Sequence, residues 1–486
     1  MADDSLCEKD ELLARQLGRR DFLALIGAGA ASLVTSRLRF LQAAPAVGRP
    51  NIIVIVADDL GYADIGVHGC KDIPTPNIDS IAQNGVRFTN AYVSCPVCSP
   101  TRAGLMTGRY QQRFGHEFNP GGQLRSPSVK FGLPLSQVTL ADILKGDGYA
   151  TGLVGKWHLG QDPEFHPMKR GFDEYFGFLG GSHSYVDAKA DPNNLIIRGT
   201  EPVDEKEYLT DAFTREALAF IDRRKAQPFF LYLTYSAVHN PLQATDKYLA
   251  RFAGIADQRR RTYAAMLSAM DDGIGAVIAK LKSSGLYDDT MLFFISDNGG
   301  PSFPDRGNAS SNVPLRATKG TVYEGGIRVP FLLQWPNRLP QGITYDKPVI
   351  SLDFLPTAIG PARARVPAGH AIDGVNLMPY IRGRRSTPPH DILFWRFGQQ
   401  HAVREGNWKL VRLAQQSDEL YDLASDISES NNLAAVKPDV VQKLSEELAA
   451  WESGLSAPLW QPTGPARTTT PRRQARPGRR LAPTER

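Results

Sequence analysis

Residues 51–59 read NIIVIVADD, an unbroken apolar run that ends in two adjacent carboxylates. Three other stretches have the same form, an apolar run followed directly by polar residues: 150–158, 229–239 and 291–300. Apolar residues that do not alternate with polar ones indicate strands buried on both faces, as in a parallel sheet. Ligands of such sheets bind beyond the carboxyl ends of the strands, so we expect the four polar clusters to meet in one pocket.

Helical patterns lie between these runs, and the pattern of the sequence changes near its C-terminal end. Residues 213–221 and 263–281 carry apolar side chains at helical spacing. We therefore predict an α/β fold with a large central, mostly parallel sheet flanked by helices over residues 47–387. Short strand-like pieces followed by one amphipathic helix predict a smaller C-terminal α+β domain over residues 388–460, made of an antiparallel sheet plus one helix.

The N-terminal segment has the composition of an export signal. Arg19 and Arg20 precede an uncharged run over 24–36, and residues 44–46 (Ala-Pro-Ala) offer a small-residue cleavage site. The run is too short to span a bilayer comfortably, and paired arginines ahead of it resemble a Tat signal. We predict a Tat-type signal segment over 1–46, a periplasmic or secreted protein and no stable membrane span. An ordinary amphipathic first helix is the alternative.

The net charge of +5 comes from the C-terminal tail. Residues 467–486 contain seven Arg and one Glu and contribute +6, which leaves about −1 for the rest of the chain. A body without excess positive charge argues against a nucleic-acid partner. Residues 461–486 are rich in Pro, Arg and Thr and poor in apolar side chains, so we predict a disordered tail.

Four cysteines occur, at positions 7, 70, 95 and 98. Cys95 and Cys98 have the C-x-x-C spacing, which by itself fits a redox pair or half of a zinc site. The sequence has no second such pair to complete a zinc site, and a thioredoxin-like protein would be much shorter. The residues that follow Cys98 are more informative than the spacing.

Those residues form the most specific motif in the chain. Cys98-Ser-Pro-Thr-Arg102 continues to Thr107-Gly108, and this closely resembles the signature C-x-P-x-R-x-x-x-x-T-G of the arylsulfatase-like sulfatases, in the alkaline phosphatase superfamily. The resemblance implies that a formylglycine-generating enzyme oxidises Cys98 to formylglycine. The residue types agree: Pro100 suits a first helical turn, which would place residue 98 at a helix N-terminus that favours an anion.

Two polar pairs, the carboxylates Asp58-Asp59 and the carboxylate and amide of Asp297-Asn298, indicate a metal site. Adjacent carboxylates at a buried strand end repel each other unless a cation neutralises them. Carboxylate and amide oxygens without His or Cys favour calcium or magnesium over zinc. The resemblance implies one calcium ion, held by these four residues together with the modified Cys98.

Further positions match catalytic groups of the sulfatases. They are Arg102, Lys156 and His158 (in Gly155-Lys-Trp-His158), His239 (in Ala237-Val-His-Asn240) and Lys319. The resemblance implies that hydrated formylglycine attacks the sulfur, that Arg102 and the metal activate its hydroxyl, and that the two lysines neutralise the sulfate oxygens. It assigns His239, with Lys319, as the acid for the leaving alcohol and His158 as the base that releases sulfate.

The implied activity is hydrolysis of a sulfate monoester, aryl or carbohydrate, to an alcohol and inorganic sulfate. A phosphodiesterase or phosphonate monoester hydrolase of the same superfamily is the main alternative, since both esters are tetrahedral anions. A non-catalytic sulfated-glycan binder is another, although neither Cys98 nor a metal ligand is lost. A redox protein using the C-x-x-C pair is a third. We expect loops 115–119 and 180–185 to line the pocket.

Overall fold

The computed structural model describes residues 48–120 and 130–461. The predicted signal segment, and the predicted tail from residue 462 onward, lie outside the described residues. The described residues from Pro50 onward belong to one compact unit. A search of the described helices finds none with the length and apolarity that crossing a membrane requires.

The strands account for most of the architecture. In chain order they are β1 (Asn51–Ala57), β2 (Val86–Phe88), β3 (Ala91–Tyr92), β4 (Ala150–Lys156), β5 (Glu174–Phe178), β6 (Ile197–Arg198), β7 (Glu201–Pro202), β8 (Phe229–Thr234), β9 (Thr290–Ser296), β10 (Phe331–Gln334), β11 (Ile343–Tyr345), β12 (Val349–Ile350), β13 (Ile392–Phe397), β14 (Gln400–Glu405), β15 (Trp408–Leu413) and β16 (Glu419–Asp422). Within the described ranges, ten of them form one sheet in the order β11-β2-β10-β9-β1-β8-β4-β5-β6-β7, and β3 pairs with β12 beside it.

The centre of this sheet is parallel. Strand β1 pairs in parallel with β8 and with β9, so that Val54 lies opposite Tyr232 on one side and Phe293 on the other. Along β1, Ile52, Val54 and Val56 pack into the core on one face of the sheet, while Ile53, Ile55 and Ala57 pack into the core on the opposite face. Both faces of the strand are covered, and this is the physical reason for its unbroken apolar run.

All of the helices except the last one cover these two faces. In chain order the helices are α1 (Pro76–Gln83), α2 (Cys98–Thr107), α3 (Leu140–Gly146), α4 (Leu209–Arg224), α5 (Asp246–Leu249), α6 (Gln258–Ser283), α7 (Glu324–Ile327), α8 (Phe354–Ala362), α9 (Met378–Ile381) and α10 (Pro438–Ser453). The two longest of the helices that flank the sheet, α4 and α6, pack against each other over one face. The predicted α/β fold with a large, mostly parallel sheet is confirmed.

The C-terminal sheet consists of β13 to β16, which pair antiparallel in sequence order. Helix α10 covers it through Leu444 and Leu448, and the Trp451 ring stacks on Phe394 with centroids 5.0 Å apart. The expected small α+β element, an antiparallel sheet plus one helix, is therefore confirmed. Its boundary at residues 387 and 388 stays a prediction.

Candidate active site

The candidate site lies beyond the carboxyl ends of the parallel strands. Asp58 follows β1, Asp297 follows β9 and Lys156 ends β4. Backbone hydrogen bonds join the ends of neighbouring strands: the Asp58 N–H donates to Ala237 O at 3.0 Å, and the Asp297 N–H donates to Ala57 O at 3.0 Å. Strands that are far apart in the sequence therefore deliver their polar ends to one place.

Cys98 is the first residue of α2 and has only 1% of its surface exposed. Pro100 lies in the first turn, so the cysteine is at a helix N-terminus. The Cys98 Sγ lies 3.2 Å from Lys319 Nζ and 3.6 Å from Asp58 Oδ1. Burial, together with the nearby Asp297 carboxylate, raises the pKa of Cys98 to about 12. The unmodified side chain is therefore a neutral thiol at neutral pH.

Arg102, one turn further along α2, is completely buried. Its Nε and Nη2 donate to one oxygen of Asp297 at 3.0 and 2.8 Å, and its Nη1 donates to Lys156 O at 3.1 Å. Its Nη2 also lies 3.7 Å from Asp58 Oδ2. Burial acts to lower the pKa of the guanidinium, but Asp297 and Asp58 outweigh it and raise that pKa. Arg102 is thus a fixed charge that links the ends of three strands.

Two ammonium groups face the paired carboxylates. Lys156 Nζ lies 2.5 Å from Asp58 Oδ2, and Lys319 Nζ lies 2.6 Å from Asp59 Oδ1. Burial opposes the negative charge on both aspartates. The charge of Lys156 outweighs burial at Asp58 and that of Lys319 outweighs it at Asp59, so the pKa of each carboxyl is below its usual value. Burial also opposes the charge on Lys319, but Asp59 raises its pKa. The carboxylates are ionised at neutral pH and available as ligands.

These carboxylates belong to a donor set that fits a hard cation. Ligand atoms of Asp58, Asp59, Cys98 and His239 all lie within 4.8 Å of one another. The Asn298 Nδ2 donates to Asp59 Oδ1 at 2.6 Å, while its buried Oδ1 has no hydrogen-bond partner among the described residues. An unpartnered buried amide oxygen costs free energy, which coordination to a cation would offset. The carboxylate and amide oxygens of this set suit calcium or magnesium better than zinc, while Cys98 and His239 add one sulfur and one nitrogen donor.

The two predicted histidines differ in the contacts that their rings make. His239 Nδ1 bonds to Asn240 O at 2.6 Å, so a neutral ring keeps its proton there and Nε2 lies 3.5 Å from Asp59 Oδ2. His158 has a left-handed backbone, with φ of 61°, and its buried Nδ1 has no hydrogen-bond partner in the described part of the chain. Burial and the charge of Lys156 lower the pKa of His158 well below its usual value, so the ring is neutral.

Hydrogen bonds and ion pairs join all but one of the sequence-predicted catalytic and metal residues. The ring of the remaining one, His158, is buried and lies close enough to Lys156 for the lysine charge also to lower its pKa. The structure also places His239 among the possible metal ligands, whereas the sequence analysis assigned it to acid catalysis alone. Asp297 differs from the other acidic residues, because one of its oxygens accepts from Arg102 and the other accepts from the Asp59 N–H at 3.2 Å. Its carboxylate therefore both anchors the arginine and orients the neighbouring aspartate.

Sequence reasoning missed a buried polar chain behind the cysteine. The Ser99 hydroxyl donates to His158 O at 2.6 Å, and its oxygen lies 2.6 Å from His116 Nε2. Burial lowers the pKa of His116 to about 3, so its ring is neutral and carries a single N–H, either on Nε2 beside Ser99 or on Nδ1, which lies 3.3 Å from Gly132 O. The Asn119 Oδ1 accepts from the Ser99 N–H at 2.9 Å. Position 99 is a variable position of the motif, which carries no signal of these contacts.

Comparison with known proteins identifies the family. The sequence model of the Sulfatase family matches residues 50–363, which is more than half of the chain. The chain belongs to the sulfatase family. A second family model, N-sulphoglucosamine sulphohydrolase, C-terminal, matches residues 317–453 of the sulfatase. The predicted family is confirmed, the protein is a hydrolase of sulfuric esters, and the redox and zinc interpretations of Cys95 and Cys98 are set aside.

The likeness extends over most of the sulfatase. This chain is 37% identical over 380 residues to N-acetylgalactosamine-6-sulfatase of Homo sapiens, and the alignment covers 74% of this chain and 71% of the relative. It is 34% identical over 451 residues to arylsulfatase A of Bos taurus, covering 86% and 85%. The solved structure of Ps i-CgsB in complex with k-i-k-neocarrahexaose matches with a TM-score of 0.79 and 38% identity, covering 85% of the sulfatase and 94% of that chain.

Proposed function

We propose that this sulfatase hydrolyses a carbohydrate sulfate monoester to an alcohol and inorganic sulfate, using formylglycine made from Cys98 and one bound calcium ion. The observation that carries the proposal is the position of Cys98. Its Sγ lies 3.2 Å from Lys319 Nζ and within 4.8 Å of ligand atoms of Asp58 and Asp59. A nucleophile at residue 98 would face both a sulfate-binding cation and the carboxylates that hold a metal. The weakly acidic thiol itself would be a poor nucleophile, which supports its conversion.

The charged side chains would have three roles: binding sulfate, orienting Asp297 and holding the metal. Lys156 and Lys319 would bind the sulfate oxygens and stabilise the charge that shifts onto them and onto the leaving oxygen. Arg102 would keep Asp297 oriented and would add positive charge next to residue 98. Asp58, Asp59, Asp297 and Asn298 would hold the calcium ion with residue 98. When bound, calcium supplies positive charge that lowers the pKa of a hydroxyl at residue 98, and hydrated formylglycine supplies two such hydroxyls.

The histidines would move the protons. His239, when protonated on both ring nitrogens, would protonate the leaving alcohol from Nε2, which faces the site because Nδ1 donates to Asn240 O. His158 would accept a proton from residue 98 as sulfate departs. Its neutral, buried ring with an unpartnered Nδ1 supports a role as proton acceptor.

The carbohydrate class is supported by the relatives. One is named for N-acetylgalactosamine, and one solved structure contains k-i-k-neocarrahexaose. The test is release of inorganic sulfate, measured by ion chromatography, from a panel of sulfated monosaccharides and oligosaccharides. Turnover of an aryl sulfate with every carbohydrate sulfate left intact would contradict the proposal. A second assay measures release of the phenol from an aryl sulfate, an aryl phosphodiester and an aryl phosphonate monoester under the same conditions. It separates the sulfatase from its hydrolase alternative, and the sulfate ester is expected to react fastest.

We also propose that the enzyme is matured before it leaves the cytoplasm. A formylglycine-generating enzyme would act on the Cys98 motif before folding, because the folded structure buries Cys98 almost completely. The Tat-type segment with Arg19 and Arg20 would then carry the folded enzyme to the periplasm or beyond.

A further inference from the structure

The loop that carries Lys319 is neither helix nor strand. Ala317 and Gly320, on either side of the lysine, have left-handed backbones with φ of 64° and 84°. The Gly320 N–H donates to Pro96 O at 2.9 Å, and the Lys319 N–H makes a longer bond to Gly300 O at 3.4 Å. Because the loop lacks a repeating hydrogen-bond ladder, tertiary contacts must hold its side chains in place.

Gln400 holds this loop from the C-terminal sheet. Its Nε2 donates to Gly320 O at 2.9 Å, and its Oε1 accepts from the Val322 N–H at 3.4 Å. One side-chain amide thus bonds the main chain at two points, directly after Lys319. Gln400 is the first residue of β14, which pairs with β13 on one side and β15 on the other, so the amide extends from a fixed backbone.

The two ends of the loop are anchored to the same sheet. Arg316 Nη1 donates to the Tyr421 hydroxyl at 2.6 Å. Glu324 Oε1 accepts from Lys409 Nζ at 2.8 Å, and both of these side chains are completely buried. A hydrogen bond therefore fixes where the loop begins and an ion pair fixes where it ends, while the Gln400 amide contacts its middle, next to the lysine.

We propose that Gln400 is a positioning residue of the sulfatase, which holds Gly320 so that the Lys319 ammonium stays at the sulfate-binding position. Lys319 Nζ lies 2.6 Å from Asp59 Oδ1 and 3.2 Å from Cys98 Sγ, so a small shift of the loop lengthens both contacts. Misplacement by about 1 Å can lower a rate by about 100-fold. The inference rests on the proposed role of Lys319. Through Gln400, the C-terminal sheet would help to position a residue of the active site.

The main variant is Gln400→Met, which keeps the length of the side chain and removes both hydrogen bonds. The matched control is Gln399→Met, at the exposed neighbouring position. Both enzymes are produced with a formylglycine-generating enzyme, supplied with calcium and assayed with an aryl sulfate. Gln400→Met is expected to lower kcat roughly 10- to 100-fold, with Tm close to that of Gln399→Met. Wild-type kinetics in Gln400→Met would overturn the proposal.

A double-mutant cycle shows whether the effect runs through Lys319. In a Lys319→Ala background, Gln400→Met is expected to change kcat less than about twofold, because the group it positions is absent. An equal loss of kcat in both backgrounds would overturn the proposal. Full activity of Lys319→Ala would instead refute the proposed role of Lys319, and with it this inference. If the methionine lowers Tm, Gln400→Glu takes its place in the cycle, since it keeps the acceptor and loses the donor to Gly320.

Discussion

Lys319 Nζ lies 3.2 Å from the Sγ of Cys98, although 221 positions separate the two residues in the chain. Cys98 reaches this point because it begins helix α2, and Lys319 reaches it on an irregular loop held between the central sheet and the C-terminal sheet. The contact places a cation beside the residue that would become the nucleophile. Its chemistry depends on the modification of Cys98, on the metal and on the groups that hold both in place.

The first prediction concerns the modification. Enzyme produced with a formylglycine-generating enzyme should carry an aldehyde in place of the Cys98 thiol, detected by mass spectrometry of the peptide that contains it. Cys98→Ala should abolish turnover with little change in Tm. Cys95→Ala alters a cysteine that is equally buried but lies outside the motif, and it should keep the modification. Full activity in protein that contains only the thiol would refute the idea.

The second prediction concerns the metal. Asp297→Ala should lose both bound calcium and activity, because Arg102 and the Asp59 N–H lose their shared acceptor. Metal content is measured by inductively coupled plasma mass spectrometry before and after exhaustive chelation. Asp305→Ala, at an exposed position of a nearby loop, is the control and should keep both. Stoichiometric zinc in active enzyme, or full activity after chelation, would count against calcium.

The third prediction concerns Ser99. Ser99→Ala leaves His158 O and the His116 ring without their shared partner, which should cost about 1–3 kcal/mol in the free energy of unfolding. It should also lower kcat roughly 10- to 100-fold by releasing the His158 backbone. Ser99→Thr keeps the hydroxyl and is the matched control. Formylglycine content is measured in both, and an alanine variant with normal modification and normal kcat would show that the contact does not matter.

The fourth prediction is a pH dependence of stability that arises from the pair His390 and Asp353. His390 Nε2 lies 2.7 Å from Asp353 Oδ1; burial opposes protonation, but Asp353 raises the pKa of His390 above its usual value. The resulting stability is fully present below about pH 6.5 and is lost as the pH rises through the raised pKa. His390→Gln should therefore destabilise the protein by about 1.5–3 kcal/mol at pH 6 and by less at pH 9.

Denaturant unfolding at a series of pH values measures this difference. His370→Gln is the control, because burial lowers the pKa of His370, so its protonation weakens folding at low pH. Its effect should not shrink as the pH rises. A His390→Gln destabilisation that is the same at pH 6 and pH 9 would show that the ion pair contributes nothing through protonation.

The fifth prediction concerns export. Replacing Arg19 and Arg20 with Lys should leave active, formylglycine-bearing enzyme inside the cell, because conversion would precede folding and folding would precede Tat export. Cell fractionation, sulfatase assay and mass spectrometry of the Cys98 peptide together give the result. Normal export of the variant would contradict the signal assignment, and retention without the modification would contradict the order of events.

Two active-site motifs could be predicted from the sequence. The NIIVIVADD run predicts a strand buried on both faces with carboxylates at its end, and β1 has that form. The motif at Cys98 suggests a helix N-terminus with an arginine one turn on, and α2 has both. These features follow from local rules of strand burial and helix geometry, so a short window of residues contains all the information they need.

Sequence alone thus determined the α/β class, the family resemblance and the residue types at the strand ends. Tertiary structure alone decided that Ser99 bonds to the backbone of His158, 59 positions away, and that Gln400 bonds to that of Gly320, 80 positions away. Both are hydrogen bonds from a side chain to a backbone carbonyl, which every residue has. The side chain of the accepting residue therefore gives no indication of the bond. Only the packing of the two sheets and their loops selects which carbonyl each donor meets.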